Sequence, residues 1–398
     1  MAESLTIRPG HPDFLDLPWE LPLLEWHLPN LLDLPKGISR HEVRFLSYRT
    51  GIYVVKELPT APARNDYYVL RELETVGSPA VTPVGLVERR TADPTEEASA
   101  ALITAYEPFS FSYREILAGP GFGPRRNQML DAFAGLLVEL HLADCFWGDC
   151  SLSNVLYRFD AEAIVTIMVD AETAQILFGG LSDGRRLEDI ELMIENVAGG
   201  MADIAAEVGA DIEQADLDLG YDIAERYTKL WAELRKAETI AAEERFRITE
   251  RIDRLNRLGF DVDEVDLVPS VDDTSEMFIK VKVGGRNFHA NRLKSLTGVE
   301  ALENQAKAIL SDVHYYKARS GDDSPSGKAT SAVKWRVSEF EPTLARLRSI
   351  TGVVDPVQAY TDLLHHRYMM ASTLGRDVPN DEAITDWVAQ GRPGYPIA

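Results

Sequence analysis

One segment constrains the fold of this chain more than any other: Trp147–Leu156, which reads WGDCSLSNVL. Within it, Asp149 is followed five residues later by Asn154. Such a pair is expected by chance about once in a chain of this length, so its surroundings decide its meaning. An amphipathic helix is predicted before it, over Met129–Ala143, and two short apolar strands after it, the second ending at Asp170. This order predicts that Asp149, Asn154 and Asp170 meet at the tips of one loop and two strands.

These side chains are suited to phosphoryl transfer. Mg²⁺ bridges phosphate oxygens and prefers hard oxygen ligands, which Asn154 and Asp170 provide. A separate carboxylate must orient the attacking hydroxyl and accept its proton, and Asp149 can do so. A lysine must offset the phosphate charge. Lys56 lies in the apolar run VVKEL, where a buried ammonium group needs an acidic partner.

The first hundred residues predict a β-rich region. His41–Tyr48 alternates apolar and polar residues, a turn follows, and Ile52–Leu58 returns, so the two are expected to form a hairpin. A break is predicted over 59–64. Two further short strands are predicted over 85–89 and 100–106.

The acidic partner of Lys56 is expected on the helix that follows this break. That helix is predicted over 65–76, with Asn65 or Asp66 as its N-cap. The register of its apolar residues favours Asp66 as the partner. Glu72 is the alternative, but it lies six residues further on and therefore on another face of the helix.

Helices dominate the rest of the chain. Strands first and helices later predict an α+β protein with a β-rich lobe and a helical lobe. A third, mostly helical region is predicted from residue 237. The expected domains are an N-terminal arm at 1–32, an N-lobe at 33–107, a C-lobe at 108–236, and a C-terminal domain at 237–398.

Within the third region, strand 277–283 and the return 287–290 are predicted to form a hairpin around Gly284–Gly285. Residues 320–331 have the composition of a flexible surface loop. Six basic residues cluster at 280–294, as a solvated hairpin and helix start or as a docking site for an anionic partner. They are Lys280, Lys282, Arg286, His289, Arg292 and Lys294.

The composition excludes some classes of function. The net charge is −23 and the pI about 4.8, a field that repels nucleic acids and anionic membranes. We expect no transmembrane segment, because no apolar run approaches the roughly 20 residues that span a bilayer. Met1–Gly10 lacks a signal-peptide pattern. The two cysteines, Cys145 and Cys150, are interpreted as buried thiols of a cytoplasmic protein.

The order of these motifs resembles the protein-kinase-like fold over about residues 33–235. The segments VVKEL, ITAYE, WGDCSLSNVL and IMVDAET are most similar to the lipopolysaccharide kinase (Kdo/WaaP-like) branch of bacterial kinase-like proteins. The region after 237 resembles the DUF4032-type domain that accompanies such kinases. The resemblance implies a cytoplasmic, Mg-ATP-dependent enzyme that phosphorylates a hydroxyl group, with ATP and Mg²⁺ as cofactors.

The resemblance also implies roles for individual residues. Lys56 resembles the lysine that contacts the α- and β-phosphates, with Asp66 as its partner, and Asp149 resembles the catalytic aspartate. Asn154 and Asp170 resemble the two metal ligands. Three further positions resemble the parts that hold the nucleotide: Glu107 at the adenine hinge through backbone groups, Gly37 in the phosphate-covering loop, and Lys36, Ser39 or Arg40 beside it.

The sequence departs from the protein-kinase pattern at three places. The phosphate-covering loop has one glycine, Trp147-Gly148 stands where His-Arg is usual, and Asp170 is followed by Ala171-Glu172. Glu172 is therefore an extra metal ligand or a structural acid. Only about sixteen residues separate Asp170 from the predicted helix at 187, which leaves little room for a peptide-docking segment and favours a small-molecule, sugar or lipid-head-group acceptor.

Two other functions remain open from the sequence. One is a nucleotide-binding pseudokinase that acts as a regulatory or scaffold protein through its third domain. The other is an enzyme with the same fold that transfers a nucleotidyl group instead of a phosphoryl group. The sequence leaves open the acceptor, the role of residues 237–398, and whether the chain forms a homo-oligomer.

Overall fold

The structure is a computed structural model that describes residues 4–36, 40–113, 125–209, 211–236, 238–241, 244, 246–269, 276–320 and 325–394. By its internal contacts the chain divides into two compact units. The first unit comprises 1–158 and 165–233, and the second comprises 159–164 and 234–398. The predicted boundary, at residue 237, lies close to this division.

The first unit begins with a six-stranded antiparallel sheet in the order β1-β5-β6-β4-β3-β2. The predicted hairpin is formed by β3 and β4, which pair from Val43 with Lys56 to Tyr48 with Gly51. The strands are β1 (Ser4–Ile7), β2 (Leu31–Leu32), β3 (Val43–Tyr48), β4 (Gly51–Leu58), β5 (Pro83–Glu88) and β6 (Ala100–Ala105).

The N-terminal arm supplies both edge strands of this sheet, β1 and β2. Between them it buries Phe14, Trp19, Leu23 and Trp26 in one core cluster with residues of β4, β5 and β6. Apolar burial of this kind stabilises the fold by about 25 cal/mol per Å². The arm therefore covers one face of the sheet.

Helix α1 spans Thr60–Thr75, so the predicted break at 59–64 and the predicted N-cap at Asn65 or Asp66 are wrong. The N-cap is Pro59, and Pro62 lies in the first turn. Proline is tolerated there because the first amides of a helix have no partner within it. Asp66 therefore lies inside the helix, where its side chain is buried.

The rest of the first unit is mainly helical. The predicted helices 129–143, 187–208 and 221–236 are each observed with an earlier start. The helices are α2 (Arg126–Leu142), α3 (Asp183–Val208), α4 (Gln214–Leu217) and α5 (Leu219–Arg235). The short strands are β7 (Ser110–Phe111), β8 (Cys145–Phe146), β9 (Val155–Asp160), β10 (Ala163–Met168) and β11 (Gln175–Ile176). The end of β9 and the start of β10, within 159–164, belong to the second unit.

The second unit has a small antiparallel sheet, in the order β12-β14-β13, one helix between β12 and β13, and further helices after β14. Trp335, Tyr360 and Trp387 are fully buried in its core. Its strands are β12 (Glu238–Ala241), β13 (Val262–Pro269) and β14 (Glu276–Val283). Its helices are α6 (Phe246–Arg257), α7 (Phe288–Thr297), α8 (Glu303–Ser320), α9 (Pro325–Trp335), α10 (Glu341–Arg348), α11 (Pro356–Leu374) and α12 (Asn380–Ala389).

Two predictions for this unit are corrected. The basic segment 280–294 is not a hairpin, because β14 pairs with β13 and residues 288–297 form α7. Gly284 and Gly285 end the strand, and Asn287 stands at the N-cap position of the helix. The predicted flexible loop 320–331 is helical from Pro325 onward, since proline at the first position favours a helix start. Residues 321–324 lie outside the described part of the chain.

The α+β class is confirmed, with a β-rich N-terminal part and a helical remainder. Both cysteines are buried free thiols. Among the helices of the described residues, none is long and apolar enough to cross a membrane.

Candidate functional site

The first unit contains a cavity of about 310 Å³ between the sheet and the β9–β10 strands. A volume near 300 Å³ is within the range of small-molecule sites. Apolar side chains of the sheet and of the segments around β9 and β10 line its walls, and the charged side chains of Lys56 and Asp170 line the part that we call its polar end. The walls are lined by Val43, Phe45, Val54 and Leu102 on one side and by Val155, Leu156 and Val169 on the other.

Lys56 projects from β4 into the polar end of this cavity. Its ammonium Nζ lies 2.7 Å from Asp170 Oδ2, 3.3 Å from Asp66 Oδ2 and 3.5 Å from Glu172 Oε2. Burial lowers the pKa of Lys56, but the attraction of Asp66 and then Asp170 outweighs this effect and raises it above its usual value. Lys56 is therefore a buried, permanently charged group among three carboxylates.

Asp66 is the helix partner of Lys56 in the structure, so the pairing expected for Asp66 is observed. Its carboxyl is fully buried, which raises its pKa in spite of the attraction of Lys56. Its Oδ1 also accepts a hydrogen bond from the Ala171 amide at 3.0 Å. Asp66 therefore fixes the lysine and the segment after Asp170 at the same time.

The segment Asp170–Ala174 is held by several hydrogen bonds. Asn65 donates its side-chain amide to the carbonyl oxygens of Glu172 and Ala174, at 3.0 and 2.8 Å. The indole of Trp147 donates to the Asp170 carbonyl at 3.1 Å, and Asp170 Oδ1 accepts the Glu172 amide at 3.1 Å. These bonds give Asp170 a defined orientation at the cavity wall.

Glu172 joins this segment to the start of β3. Its carboxylate accepts from His41 Nε2 at 2.8 Å and pairs with Arg40. The hydrogen bond from His41, aided by Lys56, lowers the pKa of Glu172 to about 2, and the same hydrogen bond raises the pKa of His41. Arg40 therefore reaches the polar end of the cavity through Glu172.

Asp149 lies in the loop before β9, and two side-chain amides bind its carboxylate. Asn154 Nδ2 donates to Asp149 Oδ2 at 3.1 Å and to its backbone carbonyl at 3.1 Å. Asn196 Nδ2, from α3, donates to Asp149 Oδ1 at 3.0 Å. Burial raises the pKa of Asp149, and nearby Asp170 adds to this effect while Asn154 opposes it. The structure thus brings Asp149 and Asn154 into direct contact.

Asp189 is a residue of this site that the sequence reasoning missed. It is fully buried on α3 and accepts the amides of Trp147 and Gly148 at 2.6 and 2.7 Å. It also accepts from His141 Nε2 at 3.2 Å. A carboxylate with amide partners on both oxygens fixes the loop that carries Asp149. One sequence feature could have identified Asp189: it is an acidic residue on the apolar face of the helix predicted at 187–208.

The other expected nucleotide-binding positions are described only in part. Glu107 lines the cavity, its carboxylate pairs with Arg158 at 2.7 Å, and its carbonyl accepts from the Ser110 hydroxyl at 2.8 Å. A carbonyl oxygen has a second lone pair, so it can accept another bond. Lys36 also lines the cavity and pairs with Glu42 at 3.0 Å. Gly37 and Ser39 lie outside the described residues.

The oxygen atoms available to a metal ion come from Asn154 and Asp170, which both line the cavity. Mg²⁺ is usually held in proteins by one or two such side chains together with phosphates and water. The donor set therefore fits Mg²⁺ bound with a nucleotide. Within the described ranges, no group of three or more His, Cys, Asp or Glu side chains is arranged to hold a metal ion.

Comparisons with known proteins gave two kinds of match. Among solved structures, the chain is similar to one titled "WaaP in complex with acyl carrier protein", with 16% identity over 57% of this chain and 86% of that one, and a TM-score of 0.35. It is also similar to the Rio2 kinase–ADP/Mg²⁺–phosphoaspartate complex from Chaetomium thermophilum, with 12% identity over 52% of this chain and 72% of that one, and a TM-score of 0.32.

A search of curated proteins gave no match. A family model did match the C-terminal part of the chain, in the region where the sequence resembles a DUF4032-type domain. That resemblance is confirmed: residues 229–391 match the family described as a domain of unknown function, DUF4032.

Proposed function

We propose that the first unit binds Mg-ATP and transfers its γ-phosphoryl group to a hydroxyl of a small-molecule, sugar or lipid-head-group acceptor. The observation that carries this proposal is the group around Lys56: one buried ammonium at 2.7 Å from Asp170, at the polar end of an apolar cavity that Asn154 also lines. This arrangement supports a binding mode of ATP in which the adenine lies between the apolar walls and the phosphates lie at the polar end. It supports Asn154 and Asp170 as ligands of Mg²⁺.

In this proposal each residue has one role in the reaction. Lys56 binds the phosphates, and Asp66 keeps it in place when Asp170 turns to the metal ion. Asp149 accepts the proton of the acceptor hydroxyl as its oxygen forms a bond to the γ-phosphorus and the bond to ADP breaks. Bound Mg²⁺ supplies charge that offsets the phosphate oxygens. The backbone near Glu107 meets the adenine, and Arg40 lies beside the phosphates.

The preference for a small acceptor is supported by the short segment after Asp170. Helix α3 begins at Asp183, and the segment between is tied down by Asn65 and by the Leu177 amide, which donates to the Asp144 carbonyl at 2.9 Å. A peptide acceptor needs a longer segment on which to dock.

Replacing Asp149 with Asn tests this proposal. Asparagine keeps the size of the side chain but cannot accept the proton. We therefore expect Asp149→Asn to lower γ-phosphate turnover by about 100-fold or more while ATP affinity is unchanged. The measurement is release or transfer of label from γ-labelled ATP over a panel of hydroxyl acceptors, beside calorimetric binding of ATP. Turnover retained by the variant, or ATP binding lost in a variant that is still folded, contradicts the assigned role.

A regulatory nucleotide-binding protein is the second candidate. It is favoured by the contacts of Asp170, which binds Lys56 through Oδ2 and the Glu172 amide through Oδ1. ATP binding without γ-phosphate turnover on any acceptor supports this candidate. Nucleotidyl transfer is separated from both by ATP labelled at the α-phosphate, because only that reaction moves the label to an acceptor.

A further inference from the structure

Two residues on one face of helix α3 contact the loop that carries Asp149. Asp189 and Asn196 are seven residues apart, which is close to two turns of an α-helix. Asp189 accepts the amides of Trp147 and Gly148, and Asn196 donates to the carboxylate of the next residue, Asp149. Helix α3 therefore binds first the backbone of the loop and then its acidic side chain.

The contact from Asn196 completes a pair of amides around one carboxylate. Asn154 donates to Asp149 Oδ2 and Asn196 donates to Oδ1, at 3.1 and 3.0 Å. A single donor fixes one oxygen but leaves the plane of the carboxylate free to rotate. Two donors on opposite oxygens fix that plane, and each oxygen keeps a further lone pair for an incoming hydroxyl.

Orientation of a proton acceptor matters for rate because reacting atoms must be aligned before the reaction. A displacement of about 1 Å can reduce a rate by roughly 100-fold. Asn154 is also the proposed metal ligand, so it must serve two groups at once. Asn196 does not line the cavity, and its side-chain amide is directed at Asp149.

We propose that Asn196 is a positioning residue that holds the Asp149 carboxylate toward the acceptor hydroxyl, independently of nucleotide binding. This inference rests on the proposed phosphoryl transfer. The charged groups that act on Asp149 are Asp170, Arg40 and Glu172. Asn196 reaches it from α3 and adds no charge, so its contribution is one of orientation.

The test uses slow hydrolysis of Mg-ATP, with water as the acceptor, and compares the full-length protein with its variants. We expect Asn196→Ala to lower kcat by about 10- to 100-fold with the KM for ATP changed less than about twofold. Asn196→Leu has a similar size without the donor, adds no charge and should lose as much. Glu195→Ala, at the exposed neighbouring position of α3, is the matched control and should behave as wild type.

The double variant decides whether Asn196 acts through Asp149. If it does, adding Asn196→Ala to Asp149→Asn causes no further loss, because the orientation of Asp149 no longer matters. Losses that multiply, or an Asn196→Ala protein with wild-type kcat, overturn this inference and leave the proposed function standing. A folded wild-type protein that binds ATP but never releases γ-phosphate overturns the proposed function, and the inference with it.

Discussion

Lys56 lies among Asp66, Asp170 and Glu172, and the four side chains form one charged group with a single ammonium. Three carboxylates around one lysine leave negative charge that other cations offset. Arg40 and His41 do so at Glu172. The polar end of the cavity is thus an alternating arrangement of charges, in a protein whose net charge is −23. Under the proposed function, Lys56 and Arg40 would offset the charge of an anionic ligand in this acidic protein.

The contact between His41 and Glu172 makes stability depend on pH. The pKa of His41 is raised, so its contribution is complete below its unfolded value of 6.5 and is lost as pH rises through the raised pKa. The pKa of Glu172 is lowered to about 2, so its contribution is present above 4.5 and is lost as pH falls toward 2. The contact therefore stabilises the fold between about pH 4.5 and the raised pKa of His41.

We expect His41→Gln to lower the melting temperature at pH 6 by roughly 2 °C and to remove part of the loss of stability above neutral pH. The measurement is thermal unfolding across about pH 5 to 9. His27→Gln, at an exposed histidine bonded to the Glu25 carbonyl, is the matched control. Identical pH profiles for His41→Gln and wild type would show that the contact does not form in solution.

At this scale the sequence predicted that Asp66 and Lys56 would pair and that Asp149 and Asn154 would meet, because the required chemistry narrows the residue types. It did not predict Glu172 as the partner of Arg40 and His41, or Asn196 as the partner of Asp149. These contacts join residues 131 and 47 positions apart. Such pairings are set by tertiary packing and leave no periodic pattern in the sequence.

Among the elements, the loop at 147–154 depends on a glycine. Gly148 has a φ of +77°, in the left-handed region that favours glycine, and a Cβ there would lie 3.1 Å from the Thr173 carbonyl oxygen. The same residue donates its amide to Asp189. This explains why a glycine stands immediately before Asp149.

We expect Gly148→Ala to lower the free energy of unfolding by about 1–2 kcal/mol, through backbone strain and the close approach to Thr173. Gly199→Ala on α3 is the matched control. A Cβ at Gly199 meets nothing within 4 Å, and alanine should stabilise this helical position by about 0.5–1 kcal/mol. Urea unfolding of both variants is the measurement. A neutral Gly148→Ala would mean that the loop adopts another conformation.

The helices and strands were predicted best where the hydrophobic pattern continued over many residues. The β3–β4 hairpin and helices α2, α3 and α5 were found with errors at their ends. The start of α1 was missed because Pro59 and Pro62 were interpreted as a break, although both fit a first helical turn. The basic hairpin was wrong because the short return at 287–290 was preferred to β13, the strand that precedes β14 in the chain and pairs with it. Residues 287–290 instead lead into helix α7.

For the whole molecule, the second unit includes a piece from the middle of the chain. Residues 159–164 belong to it, and Asp160 is buried there at the start of α8. Its carboxylate accepts the amides of Asn304 and Gln305 at 2.9 and 2.7 Å, and the Asn304 side chain at 2.9 Å. A carboxylate at this position satisfies helix amides that have no partner in the helix.

We expect Asp160→Ala to destabilise the start of α8 by about 2 kcal/mol, because buried amides lose their acceptor. The measurement is hydrogen exchange of the α8 amides, which should become less protected. Asp381→Ala, in the exposed first turn of α12, is the control and should leave α8 unchanged. A fragment of residues 229–398 lacks Asp160 and should show the same loss. Full protection of α8 in both would contradict this account.

The central claim is that Mg-ATP binds where Lys56 and Asp170 meet, and calorimetric titration with ATP, with and without Mg²⁺, tests it most directly. The account predicts saturable binding in the micromolar range that strengthens with Mg²⁺. In Asp170→Ala the effect of Mg²⁺ should be lost and affinity should fall about tenfold or more, whereas Asp131→Ala, at an exposed position of α2, should bind as wild type. A folded wild-type protein that does not bind ATP, or equal Mg²⁺-dependent affinity in Asp170→Ala, would contradict it.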